Sequence, residues 1–261
     1  MGNYVIRNAM KKLLLMGCLL LTSACLSPSD GQTAAQTPTP SFFPTSTLPP
    51  SPIPATPIPE STSTPAPSAT PFPRFFTNDF DSSLTGWAML QAGNDAVPNI
   101  QNKDGSLVLQ MDSPFTWLYA LYGAQDYSDV RIDAQYVNRA LTPSTAGLIC
   151  RYSEEDGWFE YNLSADGTYN VLHGRWLSVG VVDYVPITEG ASKEILPSGL
   201  IQKFGLACSE TTLFLYINDD LFRRLDVARY DLQEGKVGLA VSSYENSPVV
   251  IGFDWVTVSV P

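Results

Sequence analysis

The sequence predicts an all-β fold: a sandwich of two antiparallel sheets occupying residues 74–261. Three observations carry this. No window of that region sustains a 3.6-residue apolar period. Short alternating runs recur instead, separated by turn residues, as in Ser106–Met111, Val130–Val137, Trp158–Leu163, Leu213–Ile217 and Val249–Val258. The full chain also holds 12 Tyr, 12 Phe and 5 Trp, residue types that suit a pleated, half-buried surface. Roughly a dozen such strands in under 200 residues make one domain with two layers.

The region before residue 74 does not read as a fold. Residues 1–24 have the three parts of a signal peptide: Arg7, Lys11 and Lys12, then the apolar run Leu13–Leu21, then the small residues Thr22, Ser23 and Ala24. Ala24-Cys25 resembles a bacterial lipobox, so Cys25 is the expected lipidation site. An ordinary secretory peptide cleaved near Ala24 is the competing reading. The apolar run is too short to span a bilayer, which needs about 20 residues. Residues 25–73 form a Pro/Ser/Thr-rich stalk, with 14 of the 21 prolines and 17 Ser or Thr between Leu26 and Pro73. Such a composition cannot bury enough apolar surface to offset its ordering entropy. Extended as polyproline II at roughly 3 Å per residue, it reaches on the order of 100–150 Å. The expected location is the outer face of a bacterial membrane, held by the lipid anchor alone.

Residues 74–261 contain 12 basic and 24 acidic residues. That excess repels phosphate backbones, so nucleic acid is not an expected partner. The chain has one histidine, His173, which excludes a His-rich zinc site. A monomer is expected.

Two hairpins can be put in register by hand. Asp156-Gly157 joins a strand ending near Ser153 to one starting at Trp158. Pairing them sets Leu148, Cys150 and Tyr152 with Phe159, Tyr161 and Leu163 on an apolar core face. The other face then carries Arg151, Trp158, Glu160 and Asn162. The turn Ala165-Asp166-Gly167 places Tyr169 opposite Leu163 and Val171 opposite Tyr161, and brings Asn170 beside Asn162. Cys150 and Cys208 are the only cysteines of the domain, and in an exported protein such a pair favours a disulfide. Two buried thiols are the alternative.

Several segments resemble concanavalin A-like jelly rolls. These are Asn78-Asp79-Phe80-Asp81 with Thr85-Gly86-Trp87, Asp104-Gly105-Ser106-Leu107, the hairpins around Gly147–Tyr152 and Trp158–Leu163, Leu215-Tyr216-Ile217-Asn218, and Gly235–Leu239 with Gly252–Val256. The resemblance is nearest to the laminin-G-like and 3-keto-disaccharide-hydrolase-like branches, many of them on exported bacterial lipoproteins. That pattern has Gly after Asn218, where this chain has Asp219. The resemblance implies a sheet that holds glycans, and Arg151, Trp158, Glu160, Asn162 and Asn170 are the expected carbohydrate-binding residues. An indole stacks on a pyranose face while carboxylate, amide and guanidinium bond its hydroxyls. The competing reading pairs Arg151 with Glu160 as an ion pair on a solvated sheet. Trp117, Tyr119, Tyr122 and Trp176 are read as packing before rim contacts. The jelly-roll glucanases that resemble this fold place their carboxylates as E-x-D-x-E or E-x-D-x-x-E. Glu154, Asp156 and Glu160 do not match that spacing, so no catalytic residue is assigned. The resemblance also admits a structural calcium ion near Asp79 and Asp254, while no cofactor or metal ligand set is assigned.

Overall fold

The computed structural model describes residues 72–81 and 83–261. The expected targeting segment, Cys25 and all of the stalk before residue 72 lie outside the described residues. The strands are β1 (Phe76–Asn78), β2 (Trp87–Gly93), β3 (Asn99–Lys103), β4 (Ser106–Met111), β5 (Thr116–Tyr127), β6 (Val130–Asn138), β7 (Ser144–Ser153) and β8 (Gly157–Ser164). They continue as β9 (Thr168–Ser178), β10 (Val181–Ala191), β11 (Ile201–Ser209), β12 (Thr212–Ile217), β13 (Asp220–Asp226), β14 (Gly235–Ser243) and β15 (Val249–Ser259). Among the described residues the only helical element is the 3-10 turn Ala228–Tyr230.

One sheet runs β13-β12-β11-β6-β15-β4-β3, with β1 also paired to β15; the other runs β10-β9-β8-β7-β14-β5-β2. All pairs are antiparallel, as the alternating sequence runs require. The layer between the sheets holds Leu107, Leu109, Ile132, Leu148, Phe159 and Tyr161, all fully buried. Burying each such side chain contributes roughly 1.5–3 kcal/mol.

The central hairpins have the expected register. Leu148 pairs with Tyr161, Cys150 with Phe159, Leu163 with Tyr169, Tyr161 with Val171, and Asn162 with Asn170. Cys150 of β7 is bonded to Cys208 of β11, so the disulfide ties one sheet to the other. The two-residue turn Asn218-Asp219 forms without glycine. Both residues sit at positive φ, 52° and 71°, which Asn and Asp tolerate better than other side chains.

One local expectation fails. The β7–β8 register shifts between Cys150 and Ser153, and Arg151 sits at φ 54°. This bulge puts one extra residue into β7. It turns Tyr152 out of the inter-sheet core and on to the opposite face, beside Trp158.

The chain approaches the sandwich across both sheets. β1 pairs with β15 in one sheet, while Phe72 and Phe76 pack against Tyr122 of the other, with ring centroids at 6.4 and 4.4 Å. The Tyr127 hydroxyl donates to the Arg74 carbonyl at 2.6 Å.

Candidate functional site

The outward face of the β10–β2 sheet is built from residues that the register places in rows. One row crosses the sheet as Leu90, Tyr119, Ala240, Gly147, Asn162, Asn170 and Glu189. A row toward one end carries Trp117, Ser242, Thr145 and Ser164. Toward the other end lie Glu160 opposite Leu172, then Trp158 opposite Gly174 and Tyr184. Trp158, Glu160, Asn162 and Asn170 therefore share one face.

That face is not open. The β9–β10 hairpin folds back across it as a strap: β10 and β2 are opposite edges of the sheet, yet the Gly93 amide donates to the Gly180 carbonyl at 2.9 Å. Trp176 and Tyr184 of the strap fill the concavity over Tyr119 and Trp158, with ring centroids 5.5–6.1 Å apart. The expectation of a solvent-facing indole and carboxylate is corrected here. Trp158 and Glu160 are fully buried, not between the two sheets but beneath a third layer made by the strap.

Two glycines make this packing fit. A Cβ on Gly174 would lie 2.6 Å from the Trp158 ring, and one on Gly147 would lie 2.1 Å from Asn162 Oδ1. Only a bare backbone lets both side chains lie flat on the sheet.

Glu160 accepts three hydrogen bonds. Trp158 Nε1 and the Tyr184 hydroxyl donate to Oε2, each at 2.9 Å, and Asn162 Nδ2 donates to Oε1 at 2.8 Å. Because Tyr184 spends its only proton on Glu160, the Tyr119 hydroxyl is the donor in the 2.7 Å Tyr119–Tyr184 bond. All three donors to the carboxylate are neutral. Burial raises the Glu160 pKa above the ordinary carboxylate value, and the three hydrogen bonds only partly oppose this. Burial likewise raises the Tyr119 and Tyr184 pKa values, so both phenols stay protonated.

Asn162 donates both amide hydrogens, to Glu160 and to Asn170 Oδ1 at 3.1 Å. Reversing the amide would set its oxygen against the carboxylate, so the orientation is fixed by its neighbours. Its Oδ1 is left buried over Gly147 with no donor. Cover over this row is incomplete. Asn170 is half-buried there, and Tyr244, 38% exposed, stands near Thr145 and Asn170. Beside it the β8–β9 turn and the end of β10 enclose a depression of about 450 Å³, lined by Asp166, Gly167, Ala191, Ser192 and Lys193. Burial alone would raise the Asp166 pKa, but donors from Thr168 and Ser164 outweigh it and hold the carboxylate below its ordinary value.

Arg151 does not join the group. The bulge aims its guanidinium at one end of the sandwich, where it donates to the carbonyls of Ser128 and Leu232 at 2.7–3.1 Å and lies 3.6 Å from Asp129. The Arg151–Glu160 ion pair considered from sequence does not form. His173 pairs with Phe159 and so lies on the face opposite Glu160, against Tyr230 at 4.7 Å. Burial lowers its pKa. Asp254 accepts from Ser106 and Gln135, and Asp79 from the Asp81 amide. Among the described residues no three His, Cys, Asp or Glu side chains come together to hold a metal. Sequence reasoning missed Tyr152, Tyr184 and Tyr244. For Tyr184 the signal was the run Val181-Val182-Asp183-Tyr184 directly after Gly180.

No family model and no curated protein matches the chain. Solved structures do. A Bacillus licheniformis β-glucanase is 12% identical, with a TM-score of 0.52 over 72% of this chain and 98% of its own. A Bacillus subtilis protein of unknown function with a galectin-like fold is 14% identical, with a TM-score of 0.52 over 71% of this chain and 94% of its own. A Bacteroides ovatus mixed linkage glucan GH16 structure with bound product is 13% identical, with a TM-score of 0.50 over 70% of this chain and 99% of its own. At these identities the likeness is one of fold: the described residues form a concanavalin A-like β-sandwich.

Proposed function

We propose that the protein is a non-catalytic carbohydrate-binding β-sandwich, exported and displayed by lipid on Cys25 at the outer face of a bacterial membrane. The ligand is a poly- or oligosaccharide. It contacts the outward face from Asn170 and Tyr244 into the depression at Asp166 and Lys193. One observation carries the reading: the half-buried Asn170 amide and the exposed Tyr244 phenol stand beside a depression of ligand size. Sugar hydroxyls supply donors and acceptors in pairs, which this mixture answers. The product-bearing Bacteroides ovatus structure supports the choice of ligand class by analogy of fold alone.

The hydrolase alternative needs two carboxylates flanking the scissile bond. Glu160 is the carboxylate at the centre of the face, and it is sealed under Trp176 and Tyr184 with both oxygens engaged.

The test is a glycan array on residues 72–261, which contain every strand of both sheets. The expected result is binding that Asn170→Ala and Tyr244→Ala each weaken at least tenfold, with melting temperatures nearly unchanged. An array with no signal above background overturns the sugar reading. Release of product from a bound glycan, lost in Glu160→Gln, would replace it with the enzyme.

A further inference from the structure

The strap is fastened unevenly. The β8–β9 ladder runs from Leu163–Tyr169 to Trp158–Gly174 and stops there. Beyond Gly174, Arg175–Ser178 of β9 and Val181–Asp183 of β10 pair only with each other. Register shifts at Val181/Val182 and at Pro186/Thr188 bracket this part of β10. No side chain from Arg175 to Pro186 is fully buried. A two-stranded ribbon standing alone is marginally stable in water, and such a segment belongs to the low-stability end of a fold. Few contacts hold it down. The Gly93 amide reaches the Gly180 carbonyl at 2.9 Å, and Trp176 Nε1 donates to the Tyr152 hydroxyl at 2.9 Å. Val182 and the Trp176 ring pack on the cluster around Trp158. At the root of the ribbon the Tyr184 hydroxyl bonds Glu160.

That last contact ties the ribbon to a carboxylate with no cation against it. The groups facing Glu160 are neutral on every side: Leu90 from β2, Tyr119 from β5, Tyr152 from β7, Trp158 and Asn162 from β8, Trp176 from β9, Tyr184 from β10, and Tyr244 after β14. Lys236, opposite Tyr152, is paired with Asp126 at 3.0 Å. Arg175 and Asp183 pair with each other on the other face of the ribbon. Glu154 near Tyr152 and Glu189 opposite Asn170 are exposed acids, and Lys193 is exposed in the depression with Asp166. A protonated Glu160 suits this setting. Its Oε2 hydroxyl donates to Tyr184, and Tyr184 then donates to Tyr119 through the same 2.7 Å bond run in reverse. An ionised Glu160 leaves an unbalanced charge beneath the rings, where burial disfavours it.

We infer that residues 175–183 form a lid over Trp158, latched by Tyr184 on neutral Glu160 and released when Glu160 gains its charge. Lifting the ribbon admits water to the carboxylate and bares the Trp158 indole beside it. The closed form holds the Glu160 proton to higher pH than the open form, in which the carboxylate is hydrated. Opening is therefore rarest at low pH and grows as pH rises.

The experiment is native-state hydrogen exchange of the protein, followed by NMR at the Gly93 amide, whose acceptor is the Gly180 carbonyl. The quantity read is the protection factor, which removes the intrinsic pH dependence of exchange. In wild type it falls as pH rises above the ordinary carboxylate value, by up to about tenfold per pH unit for one linked proton. In Glu160→Gln it stays constant with pH. Tyr184→Phe, which keeps the ring and loses the latch, lowers Gly93 protection at low pH. Amides of the β7–β14 ladder keep their protection throughout, which separates lid opening from unfolding. A wild-type protection factor that does not change with pH overturns the inference. So does an equal fall in Glu160→Gln, an equal fall at the ladder amides, or full low-pH protection in Tyr184→Phe. No ligand enters the measurement, so its outcome is separate from that of the glycan array.

Discussion

Replacing Gly174 by alanine tests the strap packing at one atom. The added Cβ would sit 2.6, 2.7 and 2.9 Å from Cε2, Cζ2 and Nε1 of Trp158. Carbon atoms in contact lie about 3.5–4.0 Å apart, so the ring must retreat by most of an ångström. It has nowhere to go. Tyr152, Tyr119 and Trp176 stand at centroid distances of 5.3, 5.5 and 5.6 Å, and Nε1 is tied to Glu160. Overpacking of this kind costs about 1–3 kcal/mol. The lost backbone freedom of the unfolded chain returns about 0.4–1 kcal/mol. The net destabilisation is about 1–2 kcal/mol, or a fall in Tm of roughly 2–8 °C for a domain of this size. The control is Gly123→Ala, where the new Cβ meets only the Gly86 carbonyl oxygen, at 3.7 Å. Thermal unfolding followed by near-UV circular dichroism reads both. A Gly174→Ala protein as stable as wild type would refute the claim that Trp158 is clamped beneath a strap.

Three further outcomes are expected. Glu160 has a folded pKa raised above its unfolded value, so the folded state holds its proton to higher pH and the group lowers stability as pH rises through that interval. The Tm of wild type minus that of Glu160→Gln should therefore fall as pH rises above the ordinary carboxylate value, and a flat difference would contradict the burial of a neutral-donor carboxylate. Removing the Cys150–Cys208 bridge by double alanine substitution, with 58 residues of separation, should cost about 4 kcal/mol, seen as a lower urea midpoint than wild type under oxidising conditions. Arg151→Met should leave the carbonyls of Ser128 and Leu232 without their donor and cost about 3 kcal/mol in urea unfolding, while glycan-array signal stays.

The strand register was legible because Asp-Gly turns and period-two alternation act locally. Phe159 and Tyr161 point into the core, and Trp158, Glu160 and Asn162 point away from it, as the pattern requires. Arg151 and Tyr152 were misplaced by a single bulged residue, and nothing in Cys150-Arg151-Tyr152 marks a residue at positive φ. The burial of Trp158 was not legible either. It depends on residues 174–184 crossing from one sheet edge to the other, a long-range contact sealed by the Gly93–Gly180 bond. Pro186 interrupts the alternation of β10 and hides it as a strand. Local pattern decides which way a side chain points, whereas a distant segment decides what covers it.

The grip on the incoming chain has a mechanical consequence. A pull applied at residue 72 does not act on one strand alone. It loads the β1–β15 ladder in the first sheet and the Phe72 and Phe76 contacts with Tyr122 in the second. The disulfide between β7 and β11 keeps those two layers from sliding past each other. Tension carried along the preceding segment is thus divided between the halves of the sandwich before it reaches the sheet that carries Glu160.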